Sequence, residues 1–312
     1  MKITQRLWES HLRQKRFSGD LFLPGAIVLI VTNRCNFACR HCLRETASAE
    51  DLSLEVAEKI LREAKTYGFN QVSITGGEPL VYPHLQPLIE KIIQHGYSFN
   101  LVTNGYDFKT WMPFFKSVRR HLLYVAFSLE SASRAPHDAL RRDGSWDRII
   151  EAFSLCRQNK MPFAIITAIS RANHDEIFDV ALLAIKKGAR ALIAGTLMPC
   201  PNADRHDLVL NAGEREKLCG ALISLGQALR FPIHVTSAIR GRRNIKICRP
   251  LDMVEIAVNA KGQMVQCCDL ANHGDTDIQR HAVIADLNTQ SFQEGLKSAS
   301  RHIDRFIQRR ID

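Results

Sequence analysis

Short apolar runs alternate with stretches of helical period along the first three quarters of the chain. The runs fall at 26–31, 71–74, 98–102, 123–127, 163–169 and 191–197, each of strand length and β-rich. Helical stretches at 54–67, 85–95, 108–118, 145–159, 175–187 and 214–229 separate and follow them. Val56 and Ile60 share a face behind Ser53, and Gly68, Gly96 and Gly188 stand where left-handed helix stops are expected. This alternation predicts parallel strands joined by crossover helices, and six units predict an α/β fold with a partial (β/α)6 barrel of TIM type.

After Phe231-Pro232 the pattern changes. A basic stretch leads to apolar runs at 254–258 and 263–268 around Asn259-Ala260-Lys261-Gly262, which reads as a β-hairpin, and a helix is expected over 291–309. The expected domains are therefore an N-terminal helical extension (1–25), the partial barrel (26–232) and a small C-terminal α+β domain of hairpin plus helix (233–312). In the extension, Ile3, Leu7, Trp8 and Leu12 fall at helical spacing and suit a helix packed on the barrel.

With 312 residues, 46% hydrophobic and 24% charged, the chain has globular composition, which excludes disorder and fibre. A chain of this size needs neither disulfides nor a metal simply to fold, so its nine cysteines call for another explanation. No apolar stretch reaches the length of a signal peptide or a membrane span. The expected compartment is a reducing cytoplasm, where cysteines serve as metal ligands or reactive thiols. The net charge of +10 suits an anionic partner without choosing one. Its most one-sided stretch, Arg240, Arg242, Arg243, Lys246 and Arg249, reads either as a phosphate-gripping loop or as a solvated face. Aromatic residues are not interleaved with basic ones as base stacking requires, so no nucleic-acid partner is expected.

The strongest chemical signal is Cys35-Asn36-Phe37-Ala38-Cys39-Arg40-His41-Cys42, three thiols within eight residues directly after the first strand. Structural zinc ordinarily takes four ligands, whereas three thiolates suit a 4Fe-4S cluster with one iron left open. The spacing, with Thr32-Asn33-Arg34 before it and His41 inside it, resembles the signature of the radical S-adenosylmethionine superfamily. Gly76-Gly77-Glu78-Pro79, Thr103-Asn104-Gly105 and Ser128-Leu129-Glu130 each follow the next strand in turn, where barrel chemistry sits. The stretch His137–Asp147 is similar to the family's entry into its fourth helix.

The resemblance implies that Cys35, Cys39 and Cys42 hold the cluster and that its free iron binds S-adenosylmethionine, which electron transfer cleaves to a 5′-deoxyadenosyl radical. It places Gly76, Gly77, Glu78 and Pro79 at the methionine amine. Thr103 and Asn104, then Ser128 and Glu130, then Ser170 and Asn173 are further implied cofactor contacts. The electron comes from an external donor such as flavodoxin or ferredoxin.

Cys248, Gly262, Cys267 and Cys268 resemble the start of the auxiliary-cluster extension of the SPASM and Twitch subfamilies, shortened because no cysteine follows Cys268. An auxiliary Fe-S cluster on Cys248, Cys267 and Cys268 is the implied reading. Adjacent strand residues point to opposite faces, so Cys267 and Cys268 share a cluster only if the chain bends there. Cys200, His273 or an open iron completes the set. Cys156 and Cys219 sit among apolar helix residues as small core side chains; alternatively Cys219, Cys200 or whichever of Cys267 and Cys268 is unligated donates a hydrogen atom to a substrate radical. The expected function is hydrogen abstraction from a ribosomally made peptide, leading to oxidation, cross-linking or epimerisation. The alternatives are a radical dehydrogenase or epimerase of a sugar or aminocyclitol and, more remotely, a non-enzymatic zinc or nucleic-acid-binding module.

Overall fold

The computed structural model describes residues 25–44, 47–236, 250 and 253–308. The expected N-terminal helix, the basic run through Arg249 and Cys248 lie outside the described residues. The expected strand–helix units are all present: β1 (Gly25–Ile30), α1 (Leu54–Lys65), β2 (Phe69–Thr75), α2 (Leu85–Gln94), β3 (Ser98–Thr103), α3 (Phe108–Ser117) and β4 (Leu122–Ser128). Then come α4 (Arg134–Leu140), α5 (Ser145–Gln158), β5 (Phe163–Ile169), α6 (Ile177–Lys187), β6 (Leu192–Thr196), α7 (Pro201–Arg205) and α8 (Ala212–Leu229). The chain continues with β7 (Ile233–Val235), β8 (Glu255–Val258), β9 (Gln263–Val265), α9 (Thr276–His281), β10 (Val283–Asp286) and α10 (Phe292–Gln308).

Gly68, Gly96 and Gly188 all have positive φ, as helix stops do. The pattern gives no sign of α4, whose short span buries only His137 and Leu140. The three- and four-residue strands β7 and β10 are too brief for alternation to register.

Two compact units divide the described residues: 25–34, 48–99, 250 and 253–308 form the first, 35–44, 47 and 100–236 the second, and β3 straddles the cut. In the first, the strand order is β10-β9-β8-β1-β2. β1 pairs in parallel with β2 on one side and with β8 on the other, where Ala26 meets Glu255 and Leu29 meets Val258. The hairpin of β8 and β9 turns at Gly262, whose φ of 76° lies in the left-handed region. A boundary near residue 232 is not where this division falls. β7 stays hydrogen-bonded to β6, with Leu192 opposite Ile233, while the segment from 247 joins the first unit because β8 completes the edge of β1. Periodicity reports that a strand exists but not which strand lies beside it.

α10 closes the first unit. Phe292 is buried at its start, edge-on to Phe69 at 5.5 Å and tilted against Tyr67 at 6.2 Å. Its N–H donates to the Glu63 carboxylate of α1 at 2.7 Å. Lys59 donates to the carbonyls of Leu287 and Gln290 just before it. In the second unit β4, β5, β6 and β7 are all parallel, over a core in which Phe127 meets Phe108 at 4.8 Å and Phe153 stacks on Phe163 at 5.0 Å.

Phe292→Ala is expected to cost about 3–5 kcal/mol, as emptying a filled aromatic site does. A urea titration of the variant beside the parent protein measures it; an unchanged midpoint would show that α10 is not docked through this ring.

Candidate functional site

In the first unit, the backbone beyond β1 is held on both sides as it approaches the first cysteine. The Thr32 carbonyl accepts from the Gly77 N–H at 2.7 Å and the Arg34 carbonyl from the Glu78 N–H at 2.9 Å. On the other side Asn33 N–H donates to the Glu50 carbonyl, and Thr32 Oγ1 donates to the Asp51 carboxylate. A Cβ on Gly76 would stand 2.6 Å from the Thr32 carbonyl oxygen, so only glycine permits this approach. Glu78 is buried, and its carboxylate accepts from the Leu80 N–H at 3.0 Å to begin the 3-10 turn Pro79–Val81.

In the second unit, the cysteine loop makes little of its own structure. Its internal backbone bond runs from Cys42 N–H to the Cys39 carbonyl at 3.1 Å, and the rest of its support comes from neighbours. Asn36 Nδ2 donates to Asp107, and Asn36 Oδ1 accepts from Asn104 Nδ2 at 2.8 Å, fixing the loop to the segment after β3. Arg142 reaches the Asn36 carbonyl at 3.0 Å while its guanidinium lies over the Tyr106 ring. Arg40 N–H donates to the Leu140 carbonyl of α4. Past β6, Asn202 donates to the carbonyls of Cys42 and Arg44.

Cys35, Cys39 and Cys42 are all half-buried. Burial pushes the Cys39 thiol up to about 12, against the pull of the Arg141 guanidinium, and Cys42 and Cys35 add to the rise. Three soft donors whose negative charges oppose one another are stable together as thiolates only around a cationic centre, so the set fits an iron-sulfur cluster.

Behind the loop lies a buried charge network that sequence reasoning did not resolve. Glu130 is enclosed; its Oε1 accepts from Arg141 Nε and Nη2 at 2.9 and 2.5 Å, and its Oε2 from the Ala168 N–H at 2.8 Å. Burial alone would raise its carboxyl, but Arg141 and then His41 outweigh it and hold it below the usual carboxylate range. His41 Nε2 lies 3.5 Å from the same oxygen, and burial first, with Arg141 assisting, lowers its ring to about 4. The Glu130 N–H donates to His137 Nδ1 at 3.1 Å, which fixes His137 as the neutral Nε2–H tautomer; burial lowers it to about 4. The sequence signal for Arg141 was present in the His137–Asp147 stretch, but its partner is remote in the motif.

The other expected cofactor residues lock the loops after β4 and β5. Asn173 Nδ2 donates to the carbonyls of Glu130 and Ala168, and Asn173 Oδ1 accepts from the N–H and hydroxyl of Ser170. Thr103 Oγ1 accepts from the Gly105 N–H, and Ser128 ends β4 half-buried. Cys200 is buried; its thiol caps α7 by accepting from the Ala203 N–H and lies 3.7 Å from the Cys42 carbonyl. Cys219 is half-buried on α8 beside the buried Leu218 and Leu222, and Cys156 is enclosed in α5.

In the first unit, Cys267, Cys268 and Asp269 bring a donor atom each to within 4.8 Å of one another. The expectation that neighbouring strand residues diverge does not apply, because β9 ends at Val265 and the pair sits on the turn beyond it. His273 is buried nearby in sequence, and its Nδ1 accepts from the Asp275 N–H.

The sequence model of the Radical SAM superfamily matches residues 29–184, from β1 into α6. The chain belongs to the radical SAM superfamily. The cofactors of that superfamily are a 4Fe-4S cluster and S-adenosylmethionine. Among relatives of this radical SAM chain is a mycofactocin maturase, MftC, from Mycolicibacterium smegmatis, 27% identical over 216 residues that cover 68% of this chain and 55% of the maturase. An AdoMet-dependent heme synthase from Methanosarcina barkeri is 26% identical over 243 residues, 77% of this chain and 69% of that one. The chain thus spans little more than half the maturase's length. Streptococcus suis SuiB, solved with its precursor peptide SuiA, superposes with a TM-score of 0.71 at 13% identity over 93% of this chain and 68% of SuiB. The anSMEcpe structure with bound AdoMet and Kp18Cys peptide gives 0.68 at 14% identity, covering 90% and 82%. These likenesses establish the fold class, an α/β chain built on the superfamily's partial TIM-like core. No helix among the described residues is long and apolar enough to cross a membrane.

Two substitutions probe the site without touching a thiol. Arg141→Met leaves Glu130 an unpaired buried carboxylate and is expected to cost about 3–5 kcal/mol, read as a lowered urea midpoint. Gly76→Ala forces the Thr32 backbone away and is expected to cost about 1–3 kcal/mol while weakening S-adenosylmethionine binding in a calorimetric titration.

Proposed function

We propose that this chain modifies a ribosomally made peptide by radical chemistry, with Cys35, Cys39 and Cys42 holding the 4Fe-4S cluster. The observation that carries the reading is the three-thiol loop suspended on the ends of neighbouring elements. When bound, the cluster supplies the electron that cleaves S-adenosylmethionine to a 5′-deoxyadenosyl radical able to take hydrogen from an unactivated carbon. An external flavodoxin or ferredoxin provides that electron. The maturase relative and the peptide-bound neighbours support a peptide substrate, and a +10 chain favours encounter with an acidic one.

The chain's own residues have separate tasks. Gly76 and Gly77 let the backbone approach the cofactor's methionine end, with Glu78 and Pro79 shaping the same turn. Thr103 and Ser128 end β3 and β4, and Asn104 follows β3, at the reacting side. Glu130, Ser170 and Asn173 keep the loops behind them rigid, and the Glu130 carboxylate, already paired with Arg141, carries its charge without needing a ligand to neutralise it. Cys267 and Cys268, with Cys248, are the proposed auxiliary ligands. For an epimerisation, Cys219, Cys200 or whichever of Cys267 and Cys268 is unligated is the proposed hydrogen donor; the Cys200 sulfur caps α7 as an acceptor and keeps its S–H. A GTP 3′,8-cyclase from Syntrophomonas wolfei, 33% identical over 165 residues and half of each chain, favours a small-molecule substrate as the second reading.

Cys39→Ala is expected to abolish 5′-deoxyadenosine formation; unchanged formation would sink the cluster assignment. A variant with Cys35, Cys39 and Cys42 all changed to Ala is expected to retain one cluster's iron and sulfide after anaerobic purification. Loss of all iron would remove the auxiliary cluster and bring the thiol-donating epimerase forward. Peptide and sugar panels separate the two substrate readings by which one accelerates 5′-deoxyadenosine release.

A further inference from the structure

A polar cleft of about 210 Å³ opens in the first unit between the β8–β9 turn and the stretch running into α9. The turn contributes Asn259, Lys261 and Gln263, and the facing side contributes Asn272, Gln279 and Arg280. Asn33 and Glu50 also line it. One covalent link and one hydrogen bond connect its lining to cysteines. Asn33 precedes Cys35 by two residues, so their Cα atoms lie within about 7 Å of one another. Ala271, on the same wall, donates its N–H to the Cys267 carbonyl at 3.2 Å.

The cleft's hydrogen-bonding capacity is unbalanced. Asn259 is spent within the turn: Oδ1 accepts from the N–H groups of Lys261 and Gln263, and Nδ2 donates to Gln263 Oε1. Each Glu50 oxygen is engaged, one by Asn33 Nδ2 at 2.6 Å and the other by Lys261 Nζ at 3.1 Å. The Lys261 ammonium and the Arg280 guanidinium are each engaged by a single carboxylate, Glu50 and Asp277, and both have further N–H groups to offer. Gln263 Nε2 adds further donors, while the Asn272 and Gln279 amides offer both an oxygen and an NH2, so donors outnumber acceptors around the cleft. A ligand that brings acceptors and negative charge meets the remaining N–H groups of Lys261 and Arg280. The volume falls below the roughly 300–1,000 Å³ of sites that enclose a whole small molecule, so the cleft suits one side chain and its flanking backbone. Amide side chains on both walls match a peptide main chain, which presents a donor and an acceptor at each residue.

We propose that this cleft receives an acidic side chain, Asp or Glu, of an extended peptide substrate, held by Lys261 and Arg280. The proposal rests on the peptide reading above and adds the determinant that the substrate presents.

The test is calorimetric titration of the holoprotein with Ac-Glu-Glu-NH2 and its neutral isostere Ac-Gln-Gln-NH2. The expected result is at least tenfold tighter binding of the acidic dipeptide, weakened by added salt as exposed charges require. Lys261→Glu/Arg280→Glu should abolish the preference and Lys261→Arg should keep it. The milder pair Lys261→Gln/Arg280→Gln serves if charge reversal lowers the melting temperature. Equal binding of the two dipeptides by the unaltered protein, or a preference that survives the double substitution, overturns the proposal while leaving the peptide reading intact. The opposite pattern is a preference lost on substitution, with 5′-deoxyadenosine release accelerated by acidic sugars and by no peptide. That result overturns the peptide reading, and with it the assignment of the occupant.

Discussion

Everything chemical in this protein depends on holding three mutually repelling thiols on one loop that cannot support itself. A helix or strand would satisfy its own backbone, whereas this loop, whose internal bond runs from the Cys42 N–H to the Cys39 carbonyl, does not. The loop therefore leaves N–H and carbonyl groups that others must meet, since unpaired buried groups cost about 1–3 kcal/mol each. Arg142, Leu140 and Asn202 meet them, while Asn104 and Asp107 hold the Asn36 side chain, so the support comes from the ends of three different strand–helix units. Support from several elements makes the loop's shape a property of the fold rather than of its eight residues.

The same logic explains the enclosed Glu130–Arg141 pair. A buried ion pair is a poor source of stability, because the desolvation of both charges cancels most of their attraction. Its value lies in specificity. Arg141 directs Glu130 at one oxygen, the Ala168 N–H occupies the other, and Asn173 ties the adjoining backbone, so the segments after β4 and β5 have one arrangement. His41 and His137 stay neutral beside them and serve as fixed hydrogen-bonding shapes.

How much of this was legible depended on whether the information is local. The β/α alternation and the cysteine spacing are local, and both read directly from the chain. The Gly76 approach was visible as a glycine pair, though its partner, the Thr32 carbonyl, was not. Glu130 was visible as a residue after a strand but not as the partner of Arg141, because α4 is too short to announce itself and the pairing crosses a loop. The pairing of β8 with β1 was invisible for the same reason on a larger scale. At Cys267 and Cys268 a correct rule about strands met a segment that is no longer strand. The donors of the polar cleft are ordinary surface residues one by one, and only their unequal tally of donors and acceptors distinguishes them.

The parallel pairing of β8 with β1 also fixes an order of events during synthesis. Ala26 emerges from the ribosome long before Val254, whose carbonyl accepts its N–H. Through that interval the strand that leads into the cysteine loop has one bare edge, and closing it requires one of the longest-range contacts in the chain, the kind that slows folding and invites wrong pairing. The last quarter of the polypeptide is thus the latch on the first strand. A truncation there would leave β1 open to association with other chains, even though every residue of the cysteine motif had already been made.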